Sequence, residues 1–520
     1  MMEMKDMELG DGESLSERVS AIFSIGGDQE AIEYDELWWS WNALSRVGDE
    51  IARLIDEAGM SPDSDVALLV RNRPAVAAAI LSRLASSRGY ISINGMLSDK
   101  SVLTELDRVR HEVVVGTAED LRRPGLVSAA ADHGALVLEL PTHPHESVKV
   151  AAAPSKLQRD RSPADRMKSA SSDIDMTTSG TTGSAKRIRI RQEHLLATVL
   201  EAQQTSGAGT PPVTRLRSGV SIAATPLSHI GGIFGLLMTV TQGRKLVLLD
   251  RFDAQKWSNR VERHRVIAGS LPPAAIRMVL DAGIPKSRLR TLKVISTGTA
   301  PLPRVLAERF EGTYGIPLLQ AYGATEFAGG LSSFTYRDYK KWGDQKRDSV
   351  GRPHPGVEFR IVDPDTRAIL GPDEIGILEV RTGHNAVSND AGTFTSTNDL
   401  ARLDSDGYLY IHGRADDVII RGGFKIDLGQ LEDTLRSHPE IHDAGAVAVS
   451  DERLGKVPIA GVVLEPGSSL SADEIRRHVK DDLAPYAVPT RIALLPELPR
   501  NSTLKVLRPA LTEMILREGS

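Results

Sequence analysis

The chain predicts an α/β fold in two unequal parts, a large multi-sheet N-terminal region followed by a small α+β C-terminal unit. Three observations carry that expectation. Short apolar runs alternate with segments of helical spacing, the pattern of βαβ units on a mainly parallel sheet. Hydrophobic residues make up 41% of 520 residues, ample for large cores, and a prior of about 150 residues per domain suggests two to four domains. A capped helix near the C-terminus stands apart from the alternating region.

In chain order, Leu44, Val47, Ile51, Leu54 and Ile55 recur at helical spacing and end at Gly59, a good C-terminal stop. An apolar run at 65–70 predicts a strand, 74–87 a helix, 89–93 a strand, 99–110 a helix and 112–115 a strand. The polar, proline- and serine-containing stretch 142–173 reads as a surface loop. Further strands are expected at 221–224, 245–249, 266–271 and 292–296, and the charged run 338–347 reads as a solvated loop. Residues 219–240 are apolar enough to suggest a membrane span. Pro226, Ser228, His229 and several glycines interrupt them, so a buried strand, loop and helix is expected instead. Near the C-terminus, Ser471 and Glu474 form a capping box with Leu470 and Ile475 as a hydrophobic staple, and Asp427 with Gln430 marks another helix start.

Composition narrows the function classes. The 63 basic and 69 acidic residues leave a net charge of −6, so neither a nucleic-acid nor a membrane partner is expected. The absence of cysteine excludes disulfides, a thiolate nucleophile and cysteine-ligated metals, and agrees with a cytoplasmic protein. Residues 1–13 are acidic and polar without an apolar core, so no secretory leader is expected. The histidines show no metal-ligand spacing such as HExxH.

The most informative stretch runs from Thr178 through Ser179, Gly180, Thr181, Thr182, Gly183, Ser184 and Ala185 to Lys186. Glycines let backbone N–H groups approach an anion, hydroxyls donate further hydrogen bonds, and a lysine supplies countercharge, which together suit a phosphate. The spacing is not that of a Walker A loop, because no Gly-Lys-Ser/Thr triplet follows at the required distance.

Further segments follow in order: Pro226 to Gly232 (Pro-Leu-Ser-His-Ile-Gly-Gly), Gln320 to Glu326 (Gln-Ala-Tyr-Gly-Ala-Thr-Glu), Ser396 to Asp399, Gly413 to Asp417, and Leu498 to Lys505. With the phosphate loop, and across nearly the whole chain, they resemble the adenylate-forming superfamily of acyl- and aryl-CoA ligases, peptide-synthetase adenylation domains and luciferases. The resemblance implies an N-terminal adenylating domain, 1–413, and a mobile C-terminal lid, 414–520, hinged at Asp416. It implies an enzyme that joins a carboxylate to the α-phosphate of magnesium-bound ATP, releases pyrophosphate, and passes the acyl group from acyl-AMP to a second nucleophile.

By the same resemblance, the loop Thr178 to Lys186 grips the β- and γ-phosphates. Gly298, Thr299, Ala300 and Pro301 form one side of an adenine pocket, with Tyr322 and Gly323 on the other. Thr325 reaches the α-phosphate, Glu326 is the magnesium ligand, and Asp399 with Arg414 holds the ribose hydroxyls. Lys505 bridges the reacting carboxylate and the α-phosphate, and His229 gates the acid pocket. Gly422 and Gly423 match a lid segment where a pantetheine arm passes, which favours CoA as acceptor, although the same glycines suit a tight turn.

The chain departs from the family pattern at Ala185 (usually proline), Arg187 and Leu504 (usually glycine) and Leu428 (usually proline). The expected activity is a carboxylic acid:CoA ligase. The alternatives are transfer to an amine, an amino acid or a carrier-protein thiol, and a non-catalytic nucleotide-binding protein. The acid is not legible, though small residues such as Ala300 and Ala324 leave room for a ring or branched chain. A monomer or homodimer is expected.

Overall fold

The computed structural model describes residues 7–8, 14–109, 111–154, 173–177, 187–207, 213–385 and 392–518. Its largest sheet has seven strands, in the order Arg187–Ile190, Ile174–Thr177, Tyr90–Asn94, Val66–Val70, Val113–Thr117, Leu136–Leu140 and Lys149–Ala152. The inner pairings are parallel and the two edge pairings antiparallel. Strand Val66–Val70 is buried along its whole length, as a parallel strand covered on both faces must be. Its alternate residues divide between two cores: Val66, Leu68 and Val70 face one cluster, and Ala67 and Leu69 the other.

Helix Trp41–Glu57 buries Leu44, Val47, Ile51 and Ile55, the stripe that the spacing predicts, and lies in the same core as the largely buried helix Pro74–Ala85. Proline at the first turn of the latter suits its preset φ and missing N–H. Residues 219–240 form a strand, loop and helix as expected, Val220–Ala223 and Ile230–Val240, although the strand is half-buried rather than buried.

Three further sheets of four or five strands complete the body, together with a two-stranded pairing of Met7–Glu8 and Val213–Thr214. One joins Val220–Ala223 and Lys245–Leu248 to the hairpin Glu30–Tyr34 and Leu37–Ser40. The second runs Ala268–Ser270, Val294–Thr297, Leu318–Ala324, Gly329–Ser333, Arg352–Pro353. The third is an antiparallel meander of Glu358–Val362, Gly376–Arg381, Thr395–Leu403 and Leu409–Arg414. The C-terminal unit has its own sheet, built on the long hairpin Ile441–Asp451 and Gly455–Leu464. Helices Leu428–Ser437 and Ala472–Asp482 contribute to one of its cores, and Arg508–Arg517 to another. The capping box is formed: Ser471 Oγ lies 2.7 Å from Glu474, whose N–H donates back to Ser471 at 3.3 Å.

Two expectations are corrected. The stretch 142–173 is not all loop, since Lys149–Ala152 adds an antiparallel edge strand to Leu136–Leu140; residues 155–172 lie outside the described ones. The run 338–347 is not a solvated loop either. Thr335 and Asp338 make a capping box that starts helix Tyr336–Trp342, with Lys340 and Lys341 in its last turn, where cations suit the helix dipole. A 3₁₀ turn, Gly343–Lys346, follows, and Lys346 is buried, its ammonium 2.5 Å from Asp404 and 2.7 Å from Asp406. A count of charges along the run could not show that one of them is buried and paired.

Candidate active site

Strand Leu318–Ala324 delivers the first group of expected residues. It pairs antiparallel with Gly329–Ser333 through a bulge at Tyr322/Gly323. The two backbones come so close that a Cβ on Gly323 would stand 2.2 Å from the Gly329 carbonyl oxygen, so only glycine fits. A single 3₁₀ turn, Thr325–Phe327, then lifts Thr325 and Glu326 off the end of the sheet, with Ala328 in the left-handed region at φ +59° closing the turn. Beside this strand, Val294–Thr297 ends in the loop of Gly298, Thr299, Ala300 and Pro301. Gly298 lies against the Ala321 backbone, and Thr299 to Pro301 are exposed.

The neighbouring meander supplies Asp399 and Arg414, which face one another in register. The Tyr322 hydroxyl donates to the Asp399 carboxylate. Burial first, and then the Asp399 charge, push that phenol far above its ordinary range, so it remains a donor. Arg414 lies 3.9 Å from Asp399 through Nη1 and binds Asp416 through Nε at 2.9 Å. Asp416 sits in the short turn Ala415–Asp417 that leads into the C-terminal unit.

The second group arrives on a tight loop of the C-terminal unit, pinched by the bridge Arg500↔Val506. The Asn501 side chain accepts from Thr503 N at 3.0 Å, Thr503 Oγ1 at 2.7 Å and Lys505 N at 2.9 Å, which fixes the loop from inside. Ser502 Oγ lies 3.3 Å from His229 Nε2, across the boundary between the two units. His229 immediately precedes helix Ile230–Val240. Burial, and then the charge of Lys505, lower its pKa to about 4, so it is a neutral imidazole at physiological pH. Lys505 is exposed as a residue, yet protein atoms crowd its ammonium. That desolvation and Arg414 lower its pKa, while Asp399 and Glu326 pull it up. His229, Glu326, Asp399 and Arg414 thus lie near enough to Lys505 to interact with its charge.

Leu504, directly before that lysine, has φ +64°, a left-handed conformation that costs a non-glycine residue roughly 1–2 kcal/mol. Its side chain is partly buried against the body core that contains Leu249, Trp257, Ile276 and Phe310.

Thr178, Ser179, Gly180, Thr181, Thr182, Gly183 and Lys186 lie outside the described residues. The strands on either side pair directly, Thr177 opposite Arg187. Arg187 ties that junction together, bonding Asp175 at 2.8 Å, Glu105 at 3.0 Å, Thr177 at 3.1 Å and the Ser92 carbonyl at 3.2 Å. The sequence shows Arg187 only as a departure from pattern; Asp175 on the paired strand and Glu105, distant in the chain, give it work.

Gly422 and Gly423 form the two-residue turn between Val418–Arg421 and Phe424–Asp427, with φ +56° and +91°. Positive φ at both central residues is what a type I′ hairpin requires, so turn geometry alone explains the glycines.

The body and C-terminal unit also meet away from the Lys505 loop. Arg277 donates to the His442 carbonyl, His442 Nε2 lies 3.3 Å from Asp281, and its Nδ1 lies 3.4 Å from Glu465. Sequence reading missed this contact, and missed Ser502, because each depends on how two folded units sit together.

Among the described residues there is no cluster of three or more histidine, aspartate or glutamate side chains able to hold a metal, and no helix is long and apolar enough to cross a membrane. A fold that sets a strand-end Thr-Glu pair, a carboxylate–arginine pair and a lysine loop of the C-terminal unit close together points to a class. The chain belongs to the AMP-binding enzymes, whose family model matches residues 24–387, with the C-terminal domain model of the same enzymes matching 430–505.

Among its relatives, 4-coumarate–CoA ligase-like 5 of Oryza sativa subsp. japonica is 29% identical over 83% of this chain and 78% of that protein. Peroxisomal OPC-8:0-CoA ligase 1 of Arabidopsis thaliana is 26% identical over 95% of this chain and 90% of that one. The match to 4-coumarate–CoA ligase-like 9 of Arabidopsis thaliana, 32% identical, spans 65% of this chain and 61% of that protein. ATP-bound MatB from Rhodopseudomonas palustris shares the fold, with TM-score 0.78, 22% identity and coverage of 96% and 99% of the two chains. So does the amide bond synthetase McbA from Marinactinospora thermotolerans, with TM-score 0.75, 22% identity and coverage of 96% and 99%.

Proposed function

We propose that the protein is an ATP-dependent carboxylic acid:CoA ligase that works through an acyl-AMP intermediate and releases pyrophosphate. The observation that carries this reading is that the Lys505 loop of the C-terminal unit meets the body, Ser502 lying 3.3 Å from His229, on the side where Asp399 pairs with Arg414 and where Glu326, Asp399 and Arg414 act on the Lys505 charge. The division of labour follows the chemistry of the side chains. A carboxylate accepts two hydrogen bonds from a vicinal diol, which suits Asp399 to the ribose, with Arg414 beside it. An ammonium placed where negative charge accumulates stabilises a transition state, which suits Lys505 to the bond between acid and α-phosphate. Thr325 would donate to that phosphate, and the loop of Thr178 to Lys186 would hold the outer phosphates. Tyr322 and Gly298 to Pro301 would flank the adenine, and His229, neutral and at the domain boundary, would gate the acid.

Magnesium, if bound with ATP, would be held by Glu326 and phosphate oxygens and would screen phosphate charge; a carboxylate is the hard oxygen donor it requires. The chain divides at Arg414 into an adenylating domain and a lid that turns about Asp416, and in a second orientation the Gly422–Gly423 turn would admit CoA. Cytoplasmic residence and a monomer or homodimer belong to the same reading.

A pyrophosphate-release screen of aliphatic, aryl and amino acids with MgATP tests it. One class of acid is expected to trigger release, and CoA is expected to convert the intermediate to a thioester. Absence of thioester while an amine or carrier thiol is acylated moves the protein to the amide-forming or carrier-loading alternative. No release with any acid removes the reading.

A further inference from the structure

We propose that Leu504 is a positioning residue that docks the lid in the acid-activating orientation, anchoring the Lys505 loop to the body through its side chain. This rests on the function proposed above. Among the described residues, the loop is otherwise joined to the body by one hydrogen-bond contact at its tip, Ser502 to His229 at 3.3 Å. Its own bonds are internal: Asn501 N to the Lys505 carbonyl, Leu504 N to the Asn501 carbonyl, each at 2.9 Å, and Arg500 Nη1 to the Leu504 carbonyl at 2.5 Å. That web dictates a left-handed residue at 504, for which glycine is the unstrained choice, and the chain places leucine there instead.

A branched apolar side chain at a strained position, partly buried in the core of another domain, has one evident physical use. Its contact exists only while the lid is docked. The backbone strain is present in either orientation, because the internal hydrogen bonds that impose it belong to the lid alone. Docking therefore gains apolar burial, and undocking loses it, at the residue adjacent to the lysine. Leu504 thus shifts the balance between lid orientations toward the first step and holds the Lys505 ammonium where Glu326, Asp399 and Arg414 act on it.

The test separates the two half-reactions and adds a readout independent of turnover. Leu504→Gly relieves the strain and deletes the contact, and Leu504→Met keeps an apolar side chain. Acyl-AMP formation in a single turnover is expected to fall about tenfold in Leu504→Gly and to recover largely in Leu504→Met, the scale expected for losing one apolar contact. Acyl transfer from supplied acyl-AMP is expected to hold or to speed up. Because the chain lacks cysteine, Ser287→Cys on the body and Glu452→Cys on the lid can carry a dye pair. Energy transfer is expected to show fewer docked molecules in Leu504→Gly, with or without an active acid. Equal slowing of both half-reactions, or an unchanged docked fraction, overturns the proposal. Should the wild type activate no acid, the dye measurement still decides the docking role while the functional reading alone fails.

Discussion

Two turns of the C-terminal unit differ in what they touch. The loop of Asn501 to Lys505 faces the body, with Ser502 on His229 and Leu504 packed against the body's core. The turn of Gly422 and Gly423 is exposed, flanked by Ile420 at 58% and Phe424 at 56% exposure, and Phe424 stacks on Tyr486 of the same unit with ring centroids 4.6 Å apart. One turn thus contacts the body and the other does not. Under the function proposed above, a small domain that presents each turn to the nucleotide in succession would fit a two-step reaction whose first product is to be shielded from water.

Substitutions at the two turns should therefore damage different steps. Lys505→Ala is expected to slow acyl-AMP formation by roughly 10²- to 10³-fold, read by rapid quench, while transfer from supplied acyl-AMP changes little. Equal loss in both steps would erase the contrast between the turns. Asp399→Asn, on the body, is expected to raise the KM for ATP by about tenfold or more and leave the KM for the acid alone, because a charged hydrogen-bond acceptor is lost. Gly423→Ala at φ +91° is expected to do the reverse of Lys505→Ala, slowing transfer about five- to tenfold and sparing activation.

The smallest expected effect concerns pH. The hydrogen bond that His442 donates to Asp281 raises the His442 pKa above its ordinary value, helped by Glu465 and opposed by burial and Arg277. A raised pKa means that this docking contact is fully present below about pH 6.5 and fades as pH rises through the raised value. The docked fraction should then decline across that window by less than about fivefold, as befits a partly exposed pair, and Asp281→Asn should flatten the decline. His229 acts in the opposite sense on stability. With its pKa lowered to about 4, folding stability is lost as pH falls from about 6.5 toward that value, measurable as a falling Tm.

Much of this contrast was legible in the sequence, and its limits are physical. The unbroken apolar run of Val66–Val70 and the capping chemistry of Ser471 and Asp427 are local, so the sequence revealed them. The strand-end Thr325-Glu326 pair and the lysine loop were legible as motifs, because glycine, carboxylate and lysine at fixed order carry chemistry. What stayed hidden depends on distant partners. Lys346 looked like one more solvated charge until Asp404 and Asp406 closed on it, and Arg187 looked like an irregularity until Glu105 and Asp175 did the same. Leu504 read as a departure from pattern, whereas its significance lies in a φ value and a neighbour across the domain boundary.

The central claim is that the docked arrangement is the one that activates the acid. Cysteines introduced by Asp281→Cys and His442→Cys, bridged by a short bis-maleimide, would lock the lid where it stands, since the chain has no cysteine of its own. The locked enzyme is expected to form acyl-AMP and pyrophosphate at the rate of the unbridged double variant and then to stall without making thioester. A locked enzyme that forms no acyl-AMP, yet turns supplied acyl-AMP into thioester, would contradict the account.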